Sequence, residues 1–130
     1  MDPIRIPVSY GELIDKLTIL EIKVERVTDA ARRAHVAHEL EVLQASWMAD
    51  PASRIDIGAE TAKLRAVNVA LWDIEDRLRD KERGKNFDEE FISLARSVYF
   101  KNDDRARIKR EINDKLGSPL IEEKSYAPYR

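Results

Sequence analysis

The chain has 130 residues, and its 23 lysines and arginines nearly balance its 25 aspartates and glutamates, giving a formal net charge of −2. This balance gives no support to general nucleic-acid binding, which needs a surplus of positive charge to displace phosphate counterions. No apolar run approaches the roughly 20 residues of a membrane-spanning helix, and residues 1–3 do not begin a signal peptide. We therefore expect a single cytoplasmic domain covering residues 1–130, with no nucleic-acid or membrane partner. The absence of cysteine excludes disulfides and thiolate metal sites and fits a reducing compartment.

The stretch from Val8 to Val27 has the pattern of a helix against which the rest of the chain must pack. Ser9 and Glu12 form a capping box at its start, in which each side chain accepts a backbone N–H that the first turn leaves without a partner. Apolar side chains at helical spacing form one stripe that should face a core. The stripe consists of Leu13, Leu17, Leu20, Val24 and Val27, with Tyr10 and Ile14 on its edge.

Three further helices follow, separated by turn-forming residues. They are predicted at about 30–49, 59–83 and 88–116, with a long, insertion-tolerant loop at 50–58. Thr28 and Asp29 cap the second helix, and Asp88 caps the fourth. We expect Gly84 to end the third helix in the left-handed conformation, and Gly117 to begin the segment that stops the fourth.

The short link between the third and fourth helices predicts an antiparallel hairpin of about 40 Å. The expected register pairs Leu64 with Ile108, Ile74 with Val98, Leu78 with Leu94 and Trp72 with Tyr99. Because this hairpin is longer than the other helices, its outer end should seek a partner. Ile19 and Ile22 lie off the main stripe of the first helix, which also favours a partner. We therefore predict a homodimer.

The two ends of the chain are predicted to be extended, at residues 1–8 and 118–130. Residues 4–8 alternate apolar and polar like a short strand, and Pro7 confines that strand to an edge. We expect residues 120–122 to pair with residues 4–6. The predicted fold class is therefore all-α, an antiparallel bundle of about four helices with a long C-terminal helical hairpin and a short terminal strand pair.

Polar side chains occupy positions where the helices should meet. On the fourth helix, Asn102, Arg105 and Lys109 lie on a face that is otherwise apolar. The other helices place Asn68, Glu75, Glu21 and Glu25 near the same seams. Burying one charge without a partner costs several kcal/mol. We therefore expect Arg105 and Lys109 to meet Glu21, Glu25 and Glu75, since charges of both signs must bond to one another or surround something bound.

Two interpretations of these polar residues remain open. The first is an interhelical network that sets the register and partner choice of a non-enzymatic, dimeric interaction or scaffold module. The second is a pocket, in a binding protein or an enzyme, where Arg105 and Lys109 hold a small anionic, phosphorylated ligand that Asn68 and Asn102 orient. The candidate ligand-binding set also includes Glu21, Glu25 and Glu75.

A more remote third interpretation concerns paired carboxylates. Glu21 with Glu25 and Asp73 with Asp76 have the one-turn spacing found in Mg²⁺-dependent all-α nucleotide pyrophosphohydrolases. The same spacing is ordinary on solvated helix faces. The sequence contains no glycine-rich phosphate loop or nucleophile elbow. We therefore predict no catalytic residue, no metal site and no cofactor.

Four strings are distributed along the chain: VSYGELIDK at 8–16, LWDIED at 71–76, LARSVY at 94–99 and EEKSY at 122–126. Together they resemble a family of small, uncharacterised bacterial helical proteins, catalogued as a domain of unknown function. The resemblance extends over nearly all of residues 6–126. It implies a bacterial, cytoplasmic protein and assigns no catalytic residue.

Overall fold

The computed structural model describes residues 1–129 and contains four α-helices. The helices are α1 (Tyr10–Arg26), α2 (Ala30–Ala49), α3 (Gly58–Arg83) and α4 (Glu89–Leu116), with a short 3-10 helix (Pro51–Arg54) between α2 and α3. No strand occurs among residues 1–129. The predicted all-α bundle is therefore confirmed, and the predicted helices agree with the observed ones to within about one residue at most ends.

Helix α1 lies at the centre of the bundle. It packs against each of the other three helices, whereas α2 packs mainly on α1. The predicted stripe contributes Leu17 and Leu20 to the buried side of α1, and Ile14 on its edge is buried as well. A second line of residues on the same helix is also buried, as expected for a helix with neighbours on more than one side. This line consists of Gly11, Asp15, Thr18 and Ile22.

Local sequence explains where α1, α2 and α4 begin. The side-chain oxygens of Ser9, Asp29 and Asp88 each accept a hydrogen bond from the backbone N–H three residues further on, at 2.9 to 3.1 Å. These bonds satisfy donors that the first helical turn leaves without an intrahelical partner. At the other end of α4, Gly117 has a φ of 65° and forms the left-handed cap.

The end of α3 differs from the prediction. Gly84 is still right-handed, with a φ of −81°, and Lys85 adopts the left-handed conformation with a φ of 51°. The backbone N–H of Lys85 donates to Glu82 at 3.0 Å, and that of Asn86 donates to Lys81 at 2.9 Å. This is the hydrogen-bond pattern of a Schellman motif centred one residue later than expected. The prediction that Gly84 is the left-handed cap was therefore wrong.

Ion pairs at both ends of the α3–α4 hairpin confirm that the two helices are antiparallel. Lys81 contacts Asp88 at 3.1 Å near the turn, and Lys115 contacts Glu60 at 3.0 Å at the far end. The hydrophobic core cluster joins three helices and the segment after α2. It contains Ile14, Leu17, Ala52, Ile57, Leu64, Ile108, Ile112 and Leu116. Leu64 and Ile108 thus share one cluster, as the predicted register requires.

Two expectations about packing need correction. The segment 50–58 is more than a loop, because it forms the 3-10 helix and buries Ala52 and Ile57. The Trp72 ring does not stack on Tyr99. It lies 6.0 Å from the guanidinium of Arg26, and the Tyr99 ring lies 5.8 Å from that of Tyr129. Tyr99 is exposed and reaches the C-terminal tail.

The predicted strand pair between the chain ends does not form within residues 1–129. No backbone hydrogen bond joins residues 4–6 to residues 120–122. The tail instead meets the start of α1, where the carboxylate of Glu122 bonds to Ser9. The tail was predicted at 118–130. The structure describes it as extended up to Tyr129, and Arg130 lies outside the described residues.

Candidate functional site

The carboxylate of Asp15 lies where α1, α3 and α4 meet, and its side chain is only 1% exposed. Arg105 on α4 donates from Nε to both carboxylate oxygens at 3.0 Å, and its Nη2 donates to one of them. Asn68 on α3 donates from Nδ2 to the other oxygen at 2.9 Å. A single buried carboxylate on α1 therefore connects three helices through hydrogen bonds with charge assistance.

Thr18 completes this network one turn further along α1. Its Oγ1 accepts a hydrogen bond from the Asn68 amide at 2.9 Å and donates to the backbone carbonyl of Asp15 at 2.7 Å. A buried polar group is tolerated when its hydrogen-bonding capacity is used within the protein. The network is therefore compatible with the core around it.

Arg105 remains charged in this setting. Its hydrogen bonds to Asp15 raise the pKa of the guanidinium above its usual value, although partial burial acts in the opposite direction. The Nη1 atom makes no hydrogen bond with residues 1–129, and Arg105 lies on the wall of a cleft. One edge of the guanidinium is therefore engaged by Asp15, and the other is available beside the cleft.

The cleft lies between α1, α3 and α4 and has a volume of about 460 Å³. Four of the predicted site residues line it, namely Asn68, Glu75, Asn102 and Arg105. The apolar part of its wall consists of Ile19, Ile22, Leu71, Trp72 and Val98, and the remaining lining residues are Lys23, Asp76 and Arg79. This volume falls within the range of small-molecule sites. The wall carries charges of both signs, so it does not form a uniformly basic pocket.

Lys109 does not line the cleft. Its ammonium group lies 2.6 Å from a carboxylate oxygen of Glu12, on the first turn of α1. The capping box predicted at this turn is therefore half realised. Ser9 caps the N–H of Glu12 as expected, and the side chain of Glu12 pairs with α4 through Lys109.

Glu21 and Glu25 also lie outside the cleft. Both bond to Arg65 on α3, at 3.2 and 2.8 Å respectively. The expectation that they meet the cations of α4 was wrong, because Arg65 lies closer along the α1–α3 contact. Of the acidic residues on α3, Asp73 contacts Arg26 at 2.6 Å. Within residues 1–129, no three His, Cys, Asp or Glu side chains are grouped so that they could hold a metal ion.

A second polar cluster, which the sequence analysis did not identify, lies at the start of α1. Asn113 on α4 is 2% exposed; its Oδ1 accepts the backbone N–H of Gly11 at 2.7 Å, and its Nδ2 donates to Glu122 at 3.0 Å. The hydroxyl of Ser9 donates to the other carboxylate oxygen of Glu122. We call Ser9, Gly11 and Asn113 the carboxylate-docking site.

Gly11 makes this close contact between α1 and α4 possible. A Cβ at this position would lie 2.5 Å from the backbone carbonyl oxygen of Lys109, a separation that real side chains do not show. Because the obstacle is backbone, a side chain could be accommodated only by moving one of the two helices. The absence of a side chain therefore lets Asn113 reach the first turn of α1.

Electrostatics at the carboxylate-docking site favour the ionised form of Glu122. Partial burial is the largest single effect and favours the neutral form. Hydrogen bonds from Ser9, from the backbone of Glu122 itself and from Asn113, together with the nearby charge of Lys109, outweigh it and hold the pKa of Glu122 below its usual value of 4.5. The tail carboxylate is therefore bound as an anion.

The sequence contained a signal that would have identified Asp15. Gly11, Asp15, Thr18 and Ile22 recur at spacings of four, three and four, which is the spacing of a buried helix face. This face lies beside the more apolar stripe that contains Leu13, Leu17 and Leu20, from which the helix was predicted. A small residue, an acid and a threonine at such spacing indicate a second face that is closely packed and hydrogen-bonded.

The fold and these contacts define a class of protein: a four-helix bundle whose central helix carries a buried acid bonded to two neighbouring helices. Within residues 1–129, none of the helices is both long enough and apolar enough to cross a membrane. The chain matches a family model described as "Family of unknown function (DUF6165)" over residues 4–129, and it belongs to that family. No curated protein and no solved structure matches the chain.

Proposed function

We propose that this protein is a non-enzymatic helical interaction module that assembles as a homodimer. The observation that carries the proposal is the bond between Arg105 and both carboxylate oxygens of Asp15. The buried carboxylate already compensates the charge of Arg105, so little of that charge is left to bind an anionic ligand. Lys109 also has a carboxylate partner on α1, the more exposed Glu12 at 2.6 Å. Both cations therefore act first to hold α4 in register against α1.

Exposed apolar side chains support the dimer. Those at the ends of the chain include five aliphatic residues, all of them exposed: Ile4, Ile6, Val8, Leu120 and Ile121. Apolar groups gathered at one end of a small protein are commonly covered by a partner. Ile22 no longer contributes to this argument, because it is fully buried within the chain.

The location of the protein in the cell is part of the same proposal. We place it in the bacterial cytoplasm, following the family resemblance of the sequence strings and a composition without cysteine.

A second candidate function is the binding of a small anionic ligand in the cleft, with or without catalysis. The observation that favours it is the unbonded Nη1 of Arg105 beside a cleft of about 460 Å³. In this form of the hypothesis, Asn102 orients the ligand, and Lys23 and Arg79 replace Lys109 as the additional cations. The glutamate and aspartate on the same wall oppose a highly charged phosphate.

Two measurements separate these functions. Light scattering coupled to size exclusion should give twice the chain mass for the interaction module. A thermal-shift screen against nucleotides, sugar phosphates and divalent metals should then show no stabilisation. A ligand present at 100 times its dissociation constant would add about 2.7 kcal/mol to the free energy of unfolding. A stabilising anion whose effect disappears in Arg105→Met would favour the second function, and a monomeric mass would contradict the first.

A further inference from the structure

The carboxylate-docking site is built by the helices and not by the tail that occupies it. Ser9 is fixed by its capping bond to Glu12 at 3.1 Å, and Asn113 is fixed by the N–H of Gly11 at 2.7 Å. The groups that receive a carboxylate are thus held in position by α1 and α4. A preorganised site of this kind binds any chain segment that presents a carboxylate in the same way.

The tail is attached to the bundle by side chains. Besides Glu122, the contacts are Glu123 with Arg110 at 3.0 Å and Lys124 with the carbonyl oxygen of Asn102 at 3.4 Å. Near the end of the tail, the hydroxyl of Tyr129 bonds to Asp103, and its ring packs against those of Tyr99 and Phe100. Within the described chain, residues 119–129 make no backbone-to-backbone hydrogen bond, and all of these residues are exposed. The tail is therefore a separable segment that follows the turn at Gly117.

Docking of the tail on its own chain leaves apolar surface uncovered. Leu120 and Ile121 lie beside Pro7 and Val8 around a depression of about 300 Å³ next to Ser9. Further along the N-terminal segment, Ile4 and Ile6 are 91% and 71% exposed. A second body placed at this end of the bundle would remove these side chains from water, which is the main driving force for association.

We propose that two copies of the chain exchange their tails, so that Glu122 of each copy occupies the carboxylate-docking site of the other. The exchange keeps every polar contact of the tail and brings the two apolar ends together, which is the energetic logic of domain swapping. The short turn at 117–119, with Pro119 limiting its flexibility, is the hinge. This inference rests on the proposed homodimer and names the segment that forms it.

The absence of cysteine allows a direct test by disulfide trapping. Arg110→Cys and Glu123→Cys change two partly or fully exposed side chains that contact each other at 3.0 Å. The two single variants are unfolded, mixed in equal amounts, refolded together and mildly oxidised. We expect a mixed disulfide dimer on a non-reducing gel. Mixing Arg83→Cys with Glu123→Cys is the control, because Arg83 lies at the opposite end of the hairpin, and should give little of this product.

The double variant Arg110→Cys/Glu123→Cys gives a second readout. If the tails exchange, oxidation produces covalent dimers, and light scattering of the unmodified chain gives twice its mass. A dimeric mass with only intramolecular disulfides would overturn the exchange and leave the homodimer intact. A monomeric mass with intramolecular disulfides would overturn both.

Glu122→Gln tests the contact without a cross-link. It removes the charge from the docked carboxylate while keeping its shape, and we expect dimerisation about tenfold weaker. Glu123→Gln is the matched control, because Glu123 makes an exposed ion pair whose loss should change the dimerisation constant by less than about threefold. Equal dimerisation constants for the wild type and both variants would contradict the exchange.

Discussion

Arg105 on α4 holds both carboxylate oxygens of Asp15 on α1, and the acid is enclosed by the bundle. Elsewhere, Arg65 on α3 also contacts two carboxylates of α1, those of Glu21 and Glu25, nearer to solvent. The two arginines are similarly accessible, at 31% and 35% exposed. The difference between the contacts therefore lies in the burial of the acid, and this makes them a matched pair for measurement.

Replacing Arg105 should be costly because it leaves the buried charge of Asp15 without its cation. We expect Arg105→Met to lower the free energy of unfolding by about 3 to 5 kcal/mol. Arg65→Met is the control and should cost less than about 1 kcal/mol, because solvent screens its partners. Urea denaturation followed by circular dichroism measures both. Equal losses for the two variants would show that Asp15 does not depend on Arg105.

Removing both members of the buried pair should be milder than removing one. The variant Asp15→Leu/Arg105→Met replaces the ion pair with apolar groups, which in other proteins is neutral or stabilising by about 1 to 4 kcal/mol. We expect it to recover most of the loss seen in Arg105→Met. A double variant less stable than Arg105→Met would mean that removing the Asp15 acceptor from the Asn68 amide costs more than leaving Asp15 without its arginine.

Gly11 should tolerate no side chain. Gly11→Ala places a methyl group 2.5 Å from a backbone carbonyl of α4, and forcing the helices apart should cost about 1 to 3 kcal/mol. Gly84→Ala is the control, since its nearest neighbours are 3.7 Å away and its conformation is right-handed. It should be neutral or stabilising by up to about 1 kcal/mol. Thermal unfolding measures both variants, and equal melting temperatures for the two would contradict the prediction.

Lys85 offers a stabilising substitution. It occupies the left-handed position of the Schellman motif at the end of α3, where glycine is usual. Lys85→Gly should therefore increase the free energy of unfolding by about 0.5 to 1 kcal/mol. Lys85→Ala removes the same charge without relieving the backbone and should give no gain. Equal stability of the two variants would remove the conformational explanation.

Docking of the tail should depend on pH through Glu122. The pKa of this carboxyl is lowered in the folded protein. The stabilisation that the docked carboxylate provides is therefore complete above the usual pKa of 4.5 and is lost as the pH falls through the lower pKa of the folded state. The side-chain amide signals of Asn113 in NMR spectra should follow this titration. In Glu122→Gln they should not. If the Asn113 signals titrate in Glu122→Gln as they do in the wild type, the titration belongs to another acid.

Helical spacing and capping residues were sufficient to predict the four helices and the antiparallel hairpin. Ser9, Asp29 and Asp88 act through hydrogen bonds to residues only three positions away, so their effect can be inferred locally. The left-handed residue at the end of α3 was misassigned by one position. Glycine is the residue that most often adopts the left-handed conformation after a helix, which favoured Gly84. The hydrogen bonds of Lys85 and Asn86 instead place the left-handed residue at Lys85.

The polar contacts were harder to predict because each depends on which side chain reaches across a helix interface. Arg105 was correctly expected in a seam, but its partner was taken to be an acid at the edge of α1 and not Asp15 within it. Asn113 and Glu122 are nine residues apart and meet only because the tail folds back after Gly117. Such a contact has no periodic signature in sequence.

Helix α2 contains no fully buried residue and leans mainly on α1. Its amides should therefore exchange with deuterium faster than those of the other three helices, through openings that leave the rest of the bundle intact. Helix α2 is thus a peripheral helix attached to a bundle formed by the other three helices. Substitutions along its outer surface should alter the lifetime of these local openings while leaving global unfolding nearly unchanged.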